Sequence, residues 1–477
     1  MRRLVVAAAA AATLGTLGLT ATAQAQPVTA RALAITGPAT AGLVAGIPAG
    51  FQEAATPTTA KCTWSVTPAL PKTVTLGTGG TNSCTALIDG IWTTPKTTTY
   101  TVKVTAGGSS ATKAVKVTVA NSPAEADATG VGSDTIQNVL DQFAVDWNSS
   151  HTASTATHLF SWDATNPLNG AIGDSIAEKT GCSSIPRPDG SSAGITQLAT
   201  FQKTHDGKDF CTSFARSSRA RASTDPAFAP GGIAFVDLAG DAVTWSAQAT
   251  TNAPATLTTA QLTAIYNCTD TNWSQVGGKN APIHAFIPQS GSGTRSFFLG
   301  AIGIATPGSC VSDDNGQLEE NEGVNPVLND PDAIFPYSIG KFIAEKFHSA
   351  LCITKSTCAP NANGIVCKHT PGKNLFGCDT HGTMVLKKIN GVAPTTGSGA
   401  NTVINAAFPA TFQRIVFEVT PYDPGTSDHI PGATSPVGGV NLEQIFGASG
   451  FVCTNSQAKT DLKNYGFLVT PLCGVTG

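Results

Sequence analysis

A run of glycine and hydroxyl residues, Gln289–Arg295, leads directly into the apolar stretch Ser296–Leu299 and limits what this part of the chain can form. Glycine allows a tight backbone with open amides, and serine or threonine caps a helix start. The first amides of a helix have no intrahelical partner and lie at the positive end of its dipole. A helix that begins here therefore provides an anion site. An ordinary capped helix is the alternative interpretation.

Three other hydroxyl-rich turns occur earlier in the chain. Gly130–Thr135 and Asp189–Gly194 each precede a predicted helix, and Phe214–Arg219 is predicted to be a loop at the end of a strand. If the four turns meet, their N–H and O–H groups surround one dehydrated oxyanion without a metal ion. The sequence therefore predicts a site for a small oxyanion that needs no cofactor.

The composition and the leader limit the class of protein. Charged residues are 12% of the 477-residue chain and the net charge is −3, with no basic patch or arm for nucleic acid. Residues 1–25 are predicted to be a signal peptide, with a basic start, an apolar core to about Leu19 and a small-residue cleavage site at Ala23–Ala25. No cysteine follows the apolar core, so we expect a secreted or cell-envelope protein without a lipid anchor.

The twelve cysteines of an exported chain are expected to form disulfides. Their local spacing favours the pairs Cys62–Cys84, Cys182–Cys211, Cys268–Cys310 and Cys453–Cys473. The remaining four are predicted to pair among themselves: Cys352, Cys358, Cys367 and Cys378. A zinc site is the alternative for these four, but the cluster lacks a C-x-x-C pair and histidines at ligand spacing.

Two patterns of hydrophobic residues divide the mature chain. Residues 28–122 contain short alternating segments rich in β-branched residues, which predicts a small β-sandwich of immunoglobulin-like character, acting as a spacer or an adhesive module. From residue 127 onward, apolar strands alternate with amphipathic helices, which indicates an α/β region. The predicted helices are 136–147, 259–266 and 296–304, and the predicted strands are 233–238, 283–287 and 415–419.

Several segments, in this order, resemble the periplasmic-type phosphate-binding proteins of ABC importers. They are Leu257–Tyr266, then Thr271–Gly278 with its Asn-Trp turn, and then Ser290–Arg295. The resemblance extends over about residues 127–477. It implies a two-lobed class II flytrap fold, with lobe 1 formed by about 127–232 and 415–477 and lobe 2 by about 246–414. The crossover strands are expected near Ile233–Trp245 and Ile415–Pro424.

The same resemblance implies that phosphate is held between the lobes by four loops. The implied ligands are Ser133, Asp134, Thr135, Ser191, Ser192, Ser217, Ser218, Arg219, Ser290, Ser292, Gly293, Thr294 and Arg295. Pro288 and Ser290 stand where the family keeps an arginine and an aspartate, and Ser218 where it keeps a carboxylate. Asp134 is left as the candidate proton acceptor, with Arg216, Arg219 or Arg295 supplying positive charge, so the choice between phosphate and sulfate stays open.

The expected function is capture of inorganic phosphate or a similar oxyanion by a monomer that delivers it to an ABC importer, without catalysis. A secreted adhesive protein that keeps this fold without transport is the alternative. A serine hydrolase is a third interpretation, because Gly190–Gly194 fits G-x-S-x-G with Ser192 as nucleophile, although the preceding proline-rich stretch is not strand-like. The acidic run Glu319–Glu322 is interpreted as a solvated face without a role.

Overall fold

The computed structural model describes residues 32–56, 61–78, 84–153, 156–168, 170–347, 357–361, 364–368, 381–435, 437 and 440–477. The predicted signal peptide, Cys352 and Cys378 lie outside the described residues, as do the side chains of Cys358 and Cys367. Within the described ranges, none of the helices has both the length and the apolar character needed to span a bilayer.

The elements of the described chain are numbered in chain order. The strands are β1 Ala34–Thr36, β2 Thr40–Val44, β3 Pro48–Thr56, β4 Cys62–Thr67, β5 Val74–Thr78, β6 Thr85–Ile91, β7 Lys96–Ala106, β8 Ser109–Ala120, β9 Ala128–Gly132, β10 Leu159–Ser161, β11 Ser175–Ile176, β12 Ile185–Pro186, β13 Phe214–Ser217, β14 Ile233–Gln248, β15 Thr256–Leu257, β16 His284–Phe286, β17 Val311–Ser312, β18 Ala333–Ser338, β19 Thr357–Asn361, β20 Gly364–Lys368, β21 Met384–Leu386, β22 Lys388–Ile389, β23 Thr395–Thr396, β24 Val403–Ile404 and β25 Gln413–Pro421. The helices are α1 Gln137–Ser150, α2 Gly190–Leu198, α3 Thr259–Tyr266, α4 Gly293–Ala301, α5 Ile339–Phe347, α6 Glu443–Phe446, α7 Phe451–Thr454 and α8 Ser456–Asn464.

The first eight strands form two four-stranded sheets, as the alternating pattern predicts. Their orders are β1-β3-β6-β5 and β2-β8-β7-β4. In β7, Tyr100, Val102 and Val104 are buried in the core while the intervening Thr101 and Lys103 face outward. The Cys62–Cys84 disulfide links β4 of one sheet to the residue before β6 of the other. Alternating inward residues and this cross-link account for a sandwich with its own apolar core.

The sandwich packs directly against the region that follows. Val44 and Ile47, beside the turn between β2 and β3, share a buried apolar cluster with Phe160 and Trp162. Contacts of this kind limit the motion of the sandwich, because separating the two regions exposes apolar area to water. The boundaries 28–122 and 127–477 stay predictions.

The α/β region is built on a mixed sheet whose two longest strands run through both of its halves. The strand order is β10-β9-β13-β25-β14-β18-β16-β17. β14 and β25 pair antiparallel from Ile233 opposite Pro421 to Ala242 opposite Gln413. We call the half with β9, β10 and β13 lobe 1, and the half with β16, β17 and β18 lobe 2. The predicted α/β fold with two lobes and two crossover strands is confirmed.

β14 passes from one apolar core to the other. Its residues Val236–Ala239 belong to the lobe 1 core with α1, and its residues Ala242–Ala247 belong to the lobe 2 core with α3 and α4. The main predicted helices and strands are present. α4 begins at Gly293 rather than at residue 296, because the Ser292 side chain caps it by accepting from the Arg295 amide. The four disulfides favoured by spacing are formed.

A pair of carboxyl groups links α1 to α8 in lobe 1. Oδ1 of Asp146 accepts from Gln142 and Oδ1 of Asp461 accepts from Gln457, and the two carboxyl groups are hydrogen-bonded to each other. Burial, the hydrogen bond and the charge of Asp461 raise the pKa of Asp146 to about 9. Burial also raises the pKa of Asp461. The folded protein therefore binds the extra proton, and the stability that this pair provides is complete below about pH 4 and is lost as pH rises toward about 9.

We expect Asp461→Asn to raise the free energy of unfolding by about 1–3 kcal/mol at about pH 9 and to change it little at about pH 4. The amide can donate to Asp146 without a shared proton, and its oxygen still accepts from Gln457. Urea denaturation at the two pH values measures the effect. A gain that is larger in acid than in alkali contradicts this account of the pair.

Candidate functional site

The four hydroxyl-rich turns meet at one place. Ser133 follows β9, Ser191 lies in the first turn of α2, Ser218 follows β13 and Ser292 caps α4. Oγ of Ser218 lies 3.1 Å from Oγ of Ser133 and 3.3 Å from Oγ of Ser191. All four serines are fully buried. Their hydroxyls and the first amides of α4 form what we call the cradle.

Glycine at the start of α4 allows the two lobes to touch at the cradle. A Cβ added at Gly293, in lobe 2, would lie 2.2 Å from Oγ of Ser191 and 2.5 Å from Oγ of Ser218, both in lobe 1. The Ser192 amide donates to the Gly291 carbonyl across the same junction (3.0 Å). The two lobes are therefore in direct contact at this point.

The carboxylate of Glu320 lies at the centre of the cradle. Oε1 accepts from Oγ of Ser133 (3.1 Å) and Oγ1 of Thr135 (2.9 Å), both in lobe 1. Oε2 accepts from Oγ of Ser292 (2.6 Å) and from the Thr294 amide (2.9 Å), both in lobe 2. A lobe 2 side chain thus accepts from these three hydroxyls and one amide, with two of the four donors in each lobe. The short hydroxyl bond is typical of an ionised acceptor.

Hydrogen bonds and a nearby cation keep Glu320 ionised. Burial alone would raise its pKa, but the hydrogen bond from Asp134, the charge of Arg414 and the bonds from Ser292 and Thr294 lower the pKa to about 2. Burial and the charge of Glu320 raise the pKa of Asp134 well above its usual value. The pair therefore holds one proton, carried by Asp134, across the two lobes.

Arg414 supplies the positive charge of the cradle from the start of β25. Its Nη2 donates to Oγ1 of Thr294 (3.1 Å), which lies 3.3 Å from Oγ1 of Thr135. Thr135 in turn donates to Glu320 (2.9 Å). This chain of hydrogen bonds runs from the guanidinium through two hydroxyls to the carboxylate. Each bond polarises the next one.

A second pair of carboxyl groups lies beside the first. Asp189, before α2, is hydrogen-bonded to Glu319. Burial, the charge of Asp189 and this hydrogen bond together raise the pKa of Glu319 well above its usual value. Burial raises the pKa of Asp189 to about 6 against the opposing hydrogen bond from Glu319. Both pairs join a lobe 1 residue to a lobe 2 residue.

The arginines expected to charge the site lie elsewhere. Arg295 donates to the Pro288 carbonyl and to Asp313, away from the cradle. Arg219 pairs with Asp225 (2.7 Å) and reaches Oγ of Ser192 (3.1 Å). Arg216 is buried beneath the turn after β9 and binds its backbone. Neither Arg219 nor Arg295 is bonded to Glu320.

The thirteen predicted ligands fall into two groups. Those in the cradle or bonded to Glu320 are Ser133, Asp134, Thr135, Ser191, Ser218, Ser292, Gly293 and Thr294. Those beside it are Ser192, Ser217, Arg219, Ser290 and Arg295. Of these, Ser217 closes its own turn by bonding the Arg219 backbone, and Ser290 is exposed.

Sequence reasoning missed Glu320, Asn321 and Arg414. The interpretation of Glu319–Glu322 as a solvated face is wrong, because Glu319, Glu320 and Asn321 are all at least nine-tenths buried. The run is held inside the protein by cradle hydroxyls and by Arg414. Two adjacent glutamates in a chain with so few charges were the available signal.

The surroundings of Ser192 do not suit a nucleophile. Its Oγ accepts a hydrogen bond from Nε of Arg219 (3.1 Å), so a cation rather than a general base lies against it. A possible metal group lies apart from the cradle, at His284, Asp330 and Asp332. It is explained by the ion pair between His284 and Asp330 and by the bond from Asn252 to Asp332.

Comparisons with known proteins bear on the α/β region. A family model described as a PBP superfamily domain matches residues 117–414. No curated protein matches the sequence. Similar solved structures include an ABC-type phosphate transport receptor from Vibrio cholerae (17% identity, 72% of this chain and 100% of that chain, TM-score 0.41). A putative phosphate ABC transporter substrate-binding protein with bound phosphate from Clostridium perfringens (15%, 73% and 100%, 0.41) and PstS from Borrelia burgdorferi (17%, 72% and 99%, 0.34) are also similar. At these TM-scores the family model alone carries the assignment.

Proposed function

Because the chain belongs to the family of the PBP superfamily domain, we propose that it is an exported solute-binding protein that captures inorganic phosphate, or a similar tetrahedral oxyanion, between its two lobes. It hands the ion to an ABC-type importer and acts as a monomer. No covalent chemistry is required of it. The basic and apolar leader at residues 1–25 supports export.

One observation carries this proposal: the cradle binds an oxyanion already, in the form of the Glu320 carboxylate. Three hydroxyls and one helix N-terminal amide donate to its two oxygens at 2.6–3.1 Å. A phosphate oxygen accepts hydrogen bonds at the same distances and from the same donors. The donors therefore suit an anionic ligand rather than a neutral one.

A captured ion is expected to hold the two lobes closed. β14 and β25 are the continuous strands between the lobes, so bending within them changes the separation of Ser133 from Thr294 without breaking either core. An ion that takes donors from both lobes binds the closed form better than the open form. The bound state would then be the one that an importer recognises.

We expect Gly293→Ala to weaken phosphate binding by at least about tenfold, which corresponds to about 1.4 kcal/mol. The added methyl group meets Oγ of Ser191 and Ser218 and separates the lobes at the cradle. Gly300→Ala is the matched control in the same helix, because its Cβ meets nothing within 4 Å. Isothermal titration calorimetry with inorganic phosphate measures both variants, with circular dichroism to check folding.

Equal phosphate affinity in Gly293→Ala, Gly300→Ala and the unchanged protein contradicts binding at the cradle. The proposed function itself fails if neither the unchanged protein nor a variant without the Glu320 carboxylate gives heat or a thermal shift with millimolar phosphate or sulfate.

A further inference from the structure

Glu320 and a soluble oxyanion compete for one set of donors. The hydroxyls of Ser133, Thr135 and Ser292 each have a single proton to donate, and each faces the carboxylate. The Thr294 amide, the helix N-terminal donor, faces it as well. A phosphate oxygen cannot accept these bonds while the carboxylate accepts them. The side chain therefore stands where the solute has to stand.

The backbone on either side of Glu320 is fixed to lobe 2. The Leu318 carbonyl accepts from the Gln289 amide (2.8 Å). Oδ1 of the Asn321 side chain accepts from the Ser338 amide (3.2 Å), and the backbone carbonyl of Asn321 accepts from the Tyr337 hydroxyl (2.5 Å). From this anchored position the carboxylate reaches Ser133 and Thr135 of lobe 1. It is a tethered anion rather than a passing contact.

Asn321 makes the same crossing. It has a positive φ of 64°, a left-handed conformation that costs free energy for a residue other than glycine. In this conformation its Nδ2 donates to Oγ1 of Thr135 (3.2 Å) while Oδ1 remains bound to the backbone of β18. The consecutive side chains of Glu320 and Asn321 in lobe 2 therefore both form hydrogen bonds with the turn after β9 in lobe 1.

We propose that Glu320 is an intramolecular ligand that occupies the cradle and holds the lobes together when solute is absent, so that a soluble oxyanion binds only by displacing it. This inference rests on the proposed function and adds the residue that sets its affinity. A tethered group acts at a high effective concentration. The apparent affinity for a solute equals the intrinsic affinity multiplied by the fraction of molecules in which the cradle is free, so it is low when that fraction is small. The protein is thereby tuned to bind phosphate only where phosphate is abundant.

The test compares Glu320→Ala with the unchanged protein by calorimetry with inorganic phosphate and by X-ray scattering without it. We expect Glu320→Ala to bind phosphate at least about tenfold more tightly and to show a larger radius of gyration before phosphate is added. Addition of phosphate should then return the radius to that of the unchanged protein. Glu322→Gln is the matched control, because it neutralises another carboxyl group two residues away, one whose pKa burial raises to about 7.

Each outcome decides something. Equal or weaker phosphate binding by Glu320→Ala, with an unchanged radius, overturns the proposal and leaves the proposed function standing. A larger radius in Glu320→Ala without binding of phosphate or sulfate by either protein overturns the proposed function and supports the lobe-holding role. If Glu320→Ala does not fold, Glu320→Gln keeps the shape of the side chain while placing an N–H against the Thr294 amide, and it is expected to shift both measurements in the same direction.

Discussion

Replacing Arg414 by methionine is expected to lower the free energy of unfolding by about 3–5 kcal/mol and to abolish phosphate binding. The Arg414 side chain is 2% exposed and its guanidinium lies 2.8 Å from Oδ2 of the fully buried Asp241. Methionine restores apolar volume but leaves Asp241 charged and without its cation. The cost is large because the remaining carboxylate keeps its desolvation penalty and loses the attraction that offset it.

Binding is expected to fail in Arg414→Met because the guanidinium fixes both sides of the cradle. Nη1 donates to the Ser218 carbonyl in lobe 1 (2.8 Å), and Nη2 donates to Oγ1 of Thr294 in lobe 2 (3.1 Å). Its charge also helps to lower the pKa of Glu320. An incoming oxyanion therefore loses the positive potential of the site together with the orientation of one hydroxyl donor.

Arg295→Met is the matched control for Arg414→Met. Arg295 pairs with Asp313 at 3.0 Å, but both side chains are partly exposed, so its loss is expected to cost no more than about 1 kcal/mol. Urea denaturation and phosphate titration of the two variants measure the difference. Similar losses in both contradict the assigned role of Arg414. Adding Asp241→Asn to Arg414→Met should recover part of the lost stability, because it removes the uncompensated charge.

The part of the site that sequence could predict is the part formed by local structure. Ser292 caps α4 and Gly293 admits the neighbouring lobe, and both roles follow from residue type and position along a few residues. The turns after β9 and β13 and before α2 have the same local character. Because such turns lie at strand ends and helix starts, their meeting follows from an α/β arrangement.

The part that sequence could not predict depends on pairing between distant segments. An acidic residue is normally exposed unless it is paired, so Glu320 was interpreted as solvated. Its burial is possible because Arg414, Asp134 and the cradle hydroxyls approach it from elements far apart in the chain. Arg295 was wrongly expected to supply positive charge to the anion site. It is adjacent to the predicted anion loop in sequence, yet its guanidinium turns to Asp313.

Replacing Arg216 by methionine is the other change expected to have a large effect, with a loss of about 3–5 kcal/mol near neutral pH. Arg216 is fully buried beneath the turn after β9. It donates to the carbonyls of Ser133 (2.8 Å) and Gly132 (2.9 Å) and to Oγ of Ser161 (2.7 Å). Methionine satisfies none of these acceptors, so the turn that carries the lobe 1 part of the cradle loses its support.

The loss in Arg216→Met is expected to shrink in acid, and the sign follows from the three carboxyl groups around it. Burial raises the pKa values of Asp141, Asp163 and Glu418, and the charge of Arg216 opposes each of these shifts. Without Arg216 these folded-state pKa values rise further, so the additional penalty is absent in acid and grows as pH rises through the raised folded-state pKa values. Urea denaturation at about pH 4 and about pH 7 measures the difference.

Arg216→Lys retains the charge but loses the planar guanidinium. It should therefore keep the weak pH dependence of the unchanged protein but lose stability, because the bonds to the Ser133 and Gly132 carbonyls are lost. If Arg216→Met loses as much stability in acid as at neutral pH, the carboxyl groups play no part, and the effect of Arg216 comes from its backbone bonds alone.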